Sequence, residues 1–397
     1  MVDRIQRYAD LAVRIGANVG QGQLVEVRAN IEHAELARAT VAAAYRAGAR
    51  YVQLNYSDDV ARRTMIDLAP DEALSWSSPA LLSFLEALEA EQGASINIVG
   101  DPDPNLFVGA DQARLGRARP SDYRRLWLRL VAQRRVNWTI VACPTPGWAR
   151  QIFGEPDLER LWQLVERCVR LDESDPVAAW EAHLERLGDM ASLLNERAFD
   201  SLRYRGPGTD LMVGLMPSSR WHGGPSETSF GRRHVANMPT EEVFTAPDRR
   251  RAEGRIRSTR PLALNGSLVE GLELEFRQGR VVEVKADRGA GIVEAQLGID
   301  PGAASLGEVA LVDSRSRVGA TGVTYFNTLY DENATSHIAF GAGFAFTVAD
   351  PDEREEGVSR SAVHTDFMVG GPEVEIDGLT GTGQVIPILR DDVFQLS

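Results

Sequence analysis

Lysine is nearly absent from this chain: Lys285 is the single one, and every other basic residue is arginine. Chemistry that depends on lysine, such as a Schiff base or the lysine of a phosphate-binding loop, would have to use that residue. It sits in RVVEVKAD beside charged neighbours, the pattern of a solvated strand position. Cysteine is almost as scarce. Cys143 and Cys168 are the only two among 397 residues, and neither belongs to a Cys-x-x-Cys pair, which excludes a disulfide scaffold and a thiolate zinc site. Any metal must therefore be held by His, Asp and Glu. Positive charge is in deficit too: 43 Lys+Arg face 57 Asp+Glu, a formal charge of −14, which repels phosphate backbones and anionic membranes. No nucleic-acid partner is expected. Nor is a membrane, because no apolar run approaches the roughly 20 residues that cross a bilayer. The N-terminal MVDRIQRYADLAVRIG spaces its apolar residues for a helix but interrupts them with Asp3, Arg4, Arg7 and Asp10 where a signal peptide would carry its apolar core. The expected location is cytoplasmic.

What remains is an ordinary globular composition, 43% hydrophobic and 25% charged, long enough for two or three domains. In the first half, helical and strand patterns alternate. QLVEVRA and RYVQLNYS flank the Ala-rich AELARATVAAAYRAG as a βαβ unit, and SINIVG and NWTIVACP repeat the short apolar run after further helical stretches. SINIVGDPDP lacks the spaced glycines of a dinucleotide loop. A long helix follows, capped by Ser174 or Asp175 with Pro176 in its first turn, and with Trp180, Leu184, Leu187, Ala191 and Leu194 along one face. Beyond about residue 201 short alternating segments take over. In LELEFRQGRVVEV, Leu272, Leu274 and Phe276 share a face, Gly279 makes the turn, and Val282 and Val284 answer on the return. The expected fold class is α/β: an N-terminal domain (1–200) on an open, mostly parallel α/β sheet, then a β-rich α+β metal-binding domain (201–397).

The chemistry-bearing residues concentrate in four segments of the second half. SAVHTDFMVGG holds His364 and Asp366, which on a strand point to one face and can coordinate one ion. TLYDENATSHIAFG holds Asp331, Glu332 and His337; its plain structural alternative is a capped helical turn, with Asn333 or Asp331 as N-cap and His337 satisfied by a local hydrogen bond. SLGEVALVD places Glu308 before the apolar run Val309 to Val312. NMPTEEVFTAPD presents Glu241 and Glu242 side by side, one to each face of an extended segment. Two glutamates, two histidines and an aspartate are hard or borderline ligands, a set that suits a pair of divalent ions with a bridging carboxylate.

Taken in order, NMPTEEVFTAP, LGEVALVD, TLYDENATSHIAFG and HTDFMVGG, with TDLMVGL and GPGTD before them, closely resemble the thermophilic metallo-aminopeptidase family, the group of aminopeptidase T, aminopeptidase S and PepS. The resemblance implies metal ligands at Glu242, Glu308, His337, His364 and Asp366, with Glu242 and Glu308 in the catalytic centre. It implies two divalent ions (Zn, Co, Mn or Mg), a two-domain subunit, a homodimer, and release of N-terminal residues from short peptides. Glu241 or Glu332 is the candidate base. One departure stands out: where the family is expected to carry tyrosine, seven residues past the first histidine, this chain has Phe344, a candidate pocket residue. A phenyl ring cannot donate the hydrogen bond that a phenol can. Two other readings follow from the same residues. His337, His364 and Asp366 alone resemble the single Fe(II) face of a ring-cleaving dioxygenase, though such a site needs neither Glu242 nor Glu308. A metal-binding homologue with little activity is the second, motivated by Phe344.

Overall fold

The computed structural model describes residues 2–118, 120–264 and 267–396. They form two compact units. One holds the chain up to Ala182 together with Pro225–Thr240; the other holds His183–Gly224 and the chain from Glu241 onward. Among the described residues no helix is long and apolar enough to cross a membrane.

The first unit is organised by a five-stranded sheet, in the order Asn237–Met238, Asn137–Ala142, Ala94–Val99, Leu24–Asn30 and Tyr51–Ser57. Every pairing is parallel. Parallel neighbours cannot be joined by a tight turn, so the chain crosses over through helices. Ala34–Arg46 is the first crossover, with Leu36, Ala37, Thr40, Ala43 and Ala44 buried. The long helix runs Pro176–Arg197, and of the two candidate caps it is Asp175 whose Oδ1 accepts from the Val177 and Ala178 amides. The expected face is the buried one: Trp180 and Leu194 have no exposure.

The second unit packs two antiparallel sheets on one apolar core. The larger runs Arg280–Lys285, Glu273–Arg277, Ala252–Arg257, Thr209–Gly214, Phe199–Gly206, Glu375–Thr380, Val385–Arg390 and Val393–Phe394. It contributes Leu202, Tyr204, Leu211, Ile256, Leu274, Phe276 and Ile376 to the core. The smaller runs His364–Met368, His337–Gly341, Leu306–Val312, Glu242–Thr245 and His222–Gly223. Its contribution is Val243, Val309, Leu311, Ile338, Phe340 and Phe367. In the expected hairpin, Leu272, Leu274 and Phe276 are buried as read, and Gly279 takes the positive φ (79°) that the turn requires. The return strand differs. A register shift between Glu275 and Phe276 puts Val281 opposite Phe276, so Val282 stands 53% exposed. Lys285 is on the surface, paired with Glu283 at 2.8 Å.

Candidate metal centre

In a strand, residues two apart share a face, so the burial of Val243, Val309, Leu311, Ile338 and Phe367 in the core sends their neighbours to the other side. The ladder makes this concrete. Glu308 lies opposite Ala339, which lies opposite Asp366; Ala310 lies between Phe244 and His337; and Gly341 faces His364. Glu242 is two residues from Phe244. All five candidate ligands, Glu242, Glu308, His337, His364 and Asp366, therefore project from one face of one sheet. The positions between them are alanines, Ala310 and Ala339, whose small side chains leave room above the strands.

Glu308 reaches this face through an irregularity. Leu306 is a core residue paired with Phe340, and strict alternation would send Glu308 into the core with it. Between them the register shifts, a bulge that re-aims the following side chain. Gly307 makes the shift sterically feasible: a Cβ there would sit 2.3 Å from the Ala342 carbonyl oxygen. The same carbonyl accepts from His364 Nδ1 at 2.7 Å. His337 is anchored alike, its Nδ1 lying 2.9 Å from the carbonyl oxygen of Glu332. Because a carbonyl only accepts, both Nδ1 atoms carry the proton and both Nε2 atoms face the carboxylates. His337 Nε2 is 3.0 Å from Glu242; His364 Nε2 is 3.3 Å from both Glu308 and Asp366. Backbone carbonyls that fix a ligating imidazole in this way are a regular feature of metal sites.

Among the described residues two groups of donors emerge, each with its donor atoms within 4.8 Å of one another: Glu242, Glu308 and His337, and Glu308, His364 and Asp366. Glu308 belongs to both. His337 falls in a different group from His364 and Asp366, an arrangement unlike a single two-histidine, one-carboxylate face. The set is rich in oxygen and imidazole and free of sulfur, which matches divalent cations of hard or borderline character.

The electrostatics show how much negative charge the pocket holds. Burial lifts the Glu308 carboxyl to about 7, against the hydrogen bond from His364. Burial also pushes Glu332 well above the usual carboxylate range, and the Asp366 charge adds to it. Both histidines move the other way from ordinary buried imidazoles. Burial opposes charging His337, yet the Glu242 carboxylate outweighs it and raises the ring to about 10; for His364, Asp366 and Glu308 do the same. Asp366, although buried, is held below its ordinary value chiefly by His364. Four carboxylates around two imidazoles create the field that cations neutralise.

The supporting residues were only partly visible in sequence. Asp331 is not an N-cap: it ends the helix Thr328–Asp331, and its carboxylate accepts from the amides of Tyr325 (2.7 Å) and Asn327 (3.0 Å), shaping the loop before it. Asn333 is no cap either. Its Oδ1 accepts from the Glu241 amide at 2.6 Å and its Nδ2 donates to the Leu329 carbonyl at 2.9 Å, tying the two glutamate-bearing segments together. Glu241 turns away from Glu242, as alternation requires, toward His183 Nε2 at 3.4 Å. Glu332 was noted by sequence, and the structure buries it among the candidate ligands. Phe344 lies with its ring centroid 5.2 Å from that of His364. Tyr325 and Tyr330 are buried and lie against each other, with ring centroids 4.8 Å apart and planes tilted by 40°.

Comparison with known proteins sets this geometry in context. The model of the family described as thermophilic metalloprotease (M29) matches residues 1–394. Aminopeptidase T of Thermus aquaticus is 41% identical over 398 residues, covering 98% of this chain and 97% of that protein. Aminopeptidase 2 of Geobacillus stearothermophilus is 36% identical, with 97% and 96% covered. Among solved structures, wild-type AmpT from Thermus thermophilus superimposes with a TM-score of 0.90 at 38% identity, covering 99% of each chain.

Proposed function

The chain belongs to the thermophilic metalloprotease (M29) family and is a metal-dependent aminopeptidase, and we propose that it works with two divalent ions, one held by Glu242, Glu308 and His337 and the other by Glu308, His364 and Asp366. The observation that carries this reading is the double membership of Glu308, which lies within donor distance of both groups. A shared carboxylate is the natural bridge of a dinuclear site. Two cations of the Zn, Co, Mn or Mg class held by these residues would supply acidification of a water and polarisation of the scissile carbonyl of a short peptide.

The chain's own residues do the rest. The carbonyls of Glu332 and Ala342 hold the two imidazoles in their Nε2-facing orientation, so little rearrangement accompanies binding. Glu332 is the better base of the two candidates, because its buried carboxyl shares the pocket with Asp366 and His337 while that of Glu241 is turned to His183. Its task is to take a proton from the attacking water and return it to the leaving amine. We assign catalysis to 201–397, which carries every proposed ligand, with 1–200 as the accompanying N-terminal domain. The family suggests a homodimer, and two buried cysteines that form no disulfide with each other accord with a reducing cytoplasm.

The test is hydrolysis of aminoacyl anilides and dipeptides after chelation and after adding back Co, Zn, Mn, Mg or Fe(II). Restoration by a non-redox ion, lost in Glu242→Ala and Glu308→Ala, is expected. Failure with every ion contradicts the hydrolase reading, and oxygen consumption with Fe(II) alone would replace it with the dioxygenase.

A further inference from the structure

Aromatic rings in the second unit are mostly deep in the core: Tyr204, Phe276, Phe340 and Phe367 have no exposure. Four rings beside the metal ligands are different. His222, Phe244, Phe344 and Phe346 are each only half-buried, and they contact one another rather than the main core. Phe244 lies 5.7 Å from Phe344 and 6.3 Å from Phe346, Phe344 lies 5.7 Å from Phe346, and His222 meets Phe346 at 5.2 Å and Phe244 at 6.2 Å. Ala345, between Phe344 and Phe346 in the chain, packs against a small separate cluster of Met216, Ala246, Val348 and Val358. The wall starts at the ligands themselves. Phe244 is two residues from Glu242 on the same face, directly opposite His222 in the ladder, and the Phe344 ring touches that of His364.

An aminopeptidase cuts the bond after the first residue, so the side chain of that residue branches from the atom between the free amine and the scissile carbonyl. It must lie close beside the groups that hold the metal. Half-exposed apolar surface at that place is stabilised when an apolar side chain covers it, and aromatic partners gain further from edge-to-face contact. An acidic side chain would meet repulsion from Glu242, Glu308, Glu332 and Asp366. We infer that His222, Phe244, Phe344 and Phe346 form the subsite for the first side chain of the peptide, and that the enzyme prefers substrates beginning with a large apolar residue, aromatic or long aliphatic. The inference rests on the aminopeptidase reading of the same site. It also gives Phe344 a role of its own: a phenyl ring completes an uncharged wall.

The experiment compares kcat/KM of the metal-loaded enzyme for phenylalanyl, leucyl, alanyl, aspartyl and arginyl anilides. Phenylalanyl and leucyl substrates are expected to exceed alanyl by about ten- to hundredfold, with aspartyl poorest. In Phe344→Ala and, separately, Phe346→Ala, the phenylalanyl-to-alanyl ratio is expected to fall about tenfold, whatever the absolute rates, with metal content measured alongside. Alanyl or arginyl substrates leading in the wild type, or a ratio unmoved in both variants, would overturn the subsite while leaving aminopeptidase activity intact. Hydrolysis of no anilide with any ion would instead overturn the aminopeptidase reading and the subsite with it.

Discussion

Ala339 is the position where a small perturbation separates fold from metal binding. It lies between Glu308 and Asp366 in the ladder, fully buried, on the face that carries the proposed ligands. Ala339→Leu adds three carbons there and leaves the core face untouched. Overpacking of this kind costs about 1–3 kcal/mol, within the ~5–15 kcal/mol stability of an ordinary protein, so the variant is expected to fold. Metal adds a second and separable cost. An ion at 100 times its dissociation constant stabilises the folded state by about 2.7 kcal/mol per site, hence about 5 kcal/mol for two sites, and a leucine between the two groups forfeits that. The gap between wild type and variant should be about 1–3 kcal/mol in chelator and about 6–8 kcal/mol in excess metal. Thermal unfolding in both conditions measures it, since each kcal/mol moves Tm by roughly 2–4 °C for a unit of this size. Equal gaps with and without metal would refute the placement of the ions over Ala339.

Two further outcomes follow from other residues. His33 is buried, and burial lowers its imidazole from the ordinary 6.5 to about 4. A depressed folded value means its contribution is complete above pH 6.5 and lost as pH falls toward 4. Relative to His33→Leu, the wild type should lose about 3 kcal/mol across that window in urea unfolding; a pH-independent difference would contradict the assignment. Phe344→Tyr adds a phenol beside His364, and a donor at a developing oxyanion contributes about 2.7–4 kcal/mol. It is expected to raise kcat on alanyl and phenylalanyl anilides alike, and an unchanged kcat and metal affinity would remove Phe344 from the site's edge.

Much of this was legible because it repeats. Parallel strands buried on both faces read as short apolar runs between helical stretches, and SINIVG and NWTIVACP became Ala94–Val99 and Asn137–Ala142. The helix face from Trp180 to Leu194 followed from its 3.6-residue period. His364 and Asp366 shared a face because strands alternate. Local exceptions to periodicity were not legible. The bulges that move Val282 to solvent and Glu308 to the ligand face depend on the partner strand, and nothing in LGEVALVD alone shows that Gly307 packs against the Ala342 carbonyl. Convergence of the proposed ligands from four separated segments is likewise a property of the ladder, and in the sequence it came from resemblance. The caps misread at Asp331 and Asn333 share one cause. A short polar side chain satisfies whichever amide the tertiary fold brings near, here those of Tyr325, Asn327 and Glu241.

The central claim is that one carboxylate serves two ions, and metal stoichiometry tests it most directly. Titration of the metal-free protein, with bound metal counted by mass spectrometry, should give two equivalents in the wild type. In Asp366→Asn it should give one tight equivalent, because Glu242, Glu308 and His337 remain. In Glu308→Gln both should be lost or greatly weakened while the fold persists. Two tight equivalents in Glu308→Gln would contradict the shared carboxylate.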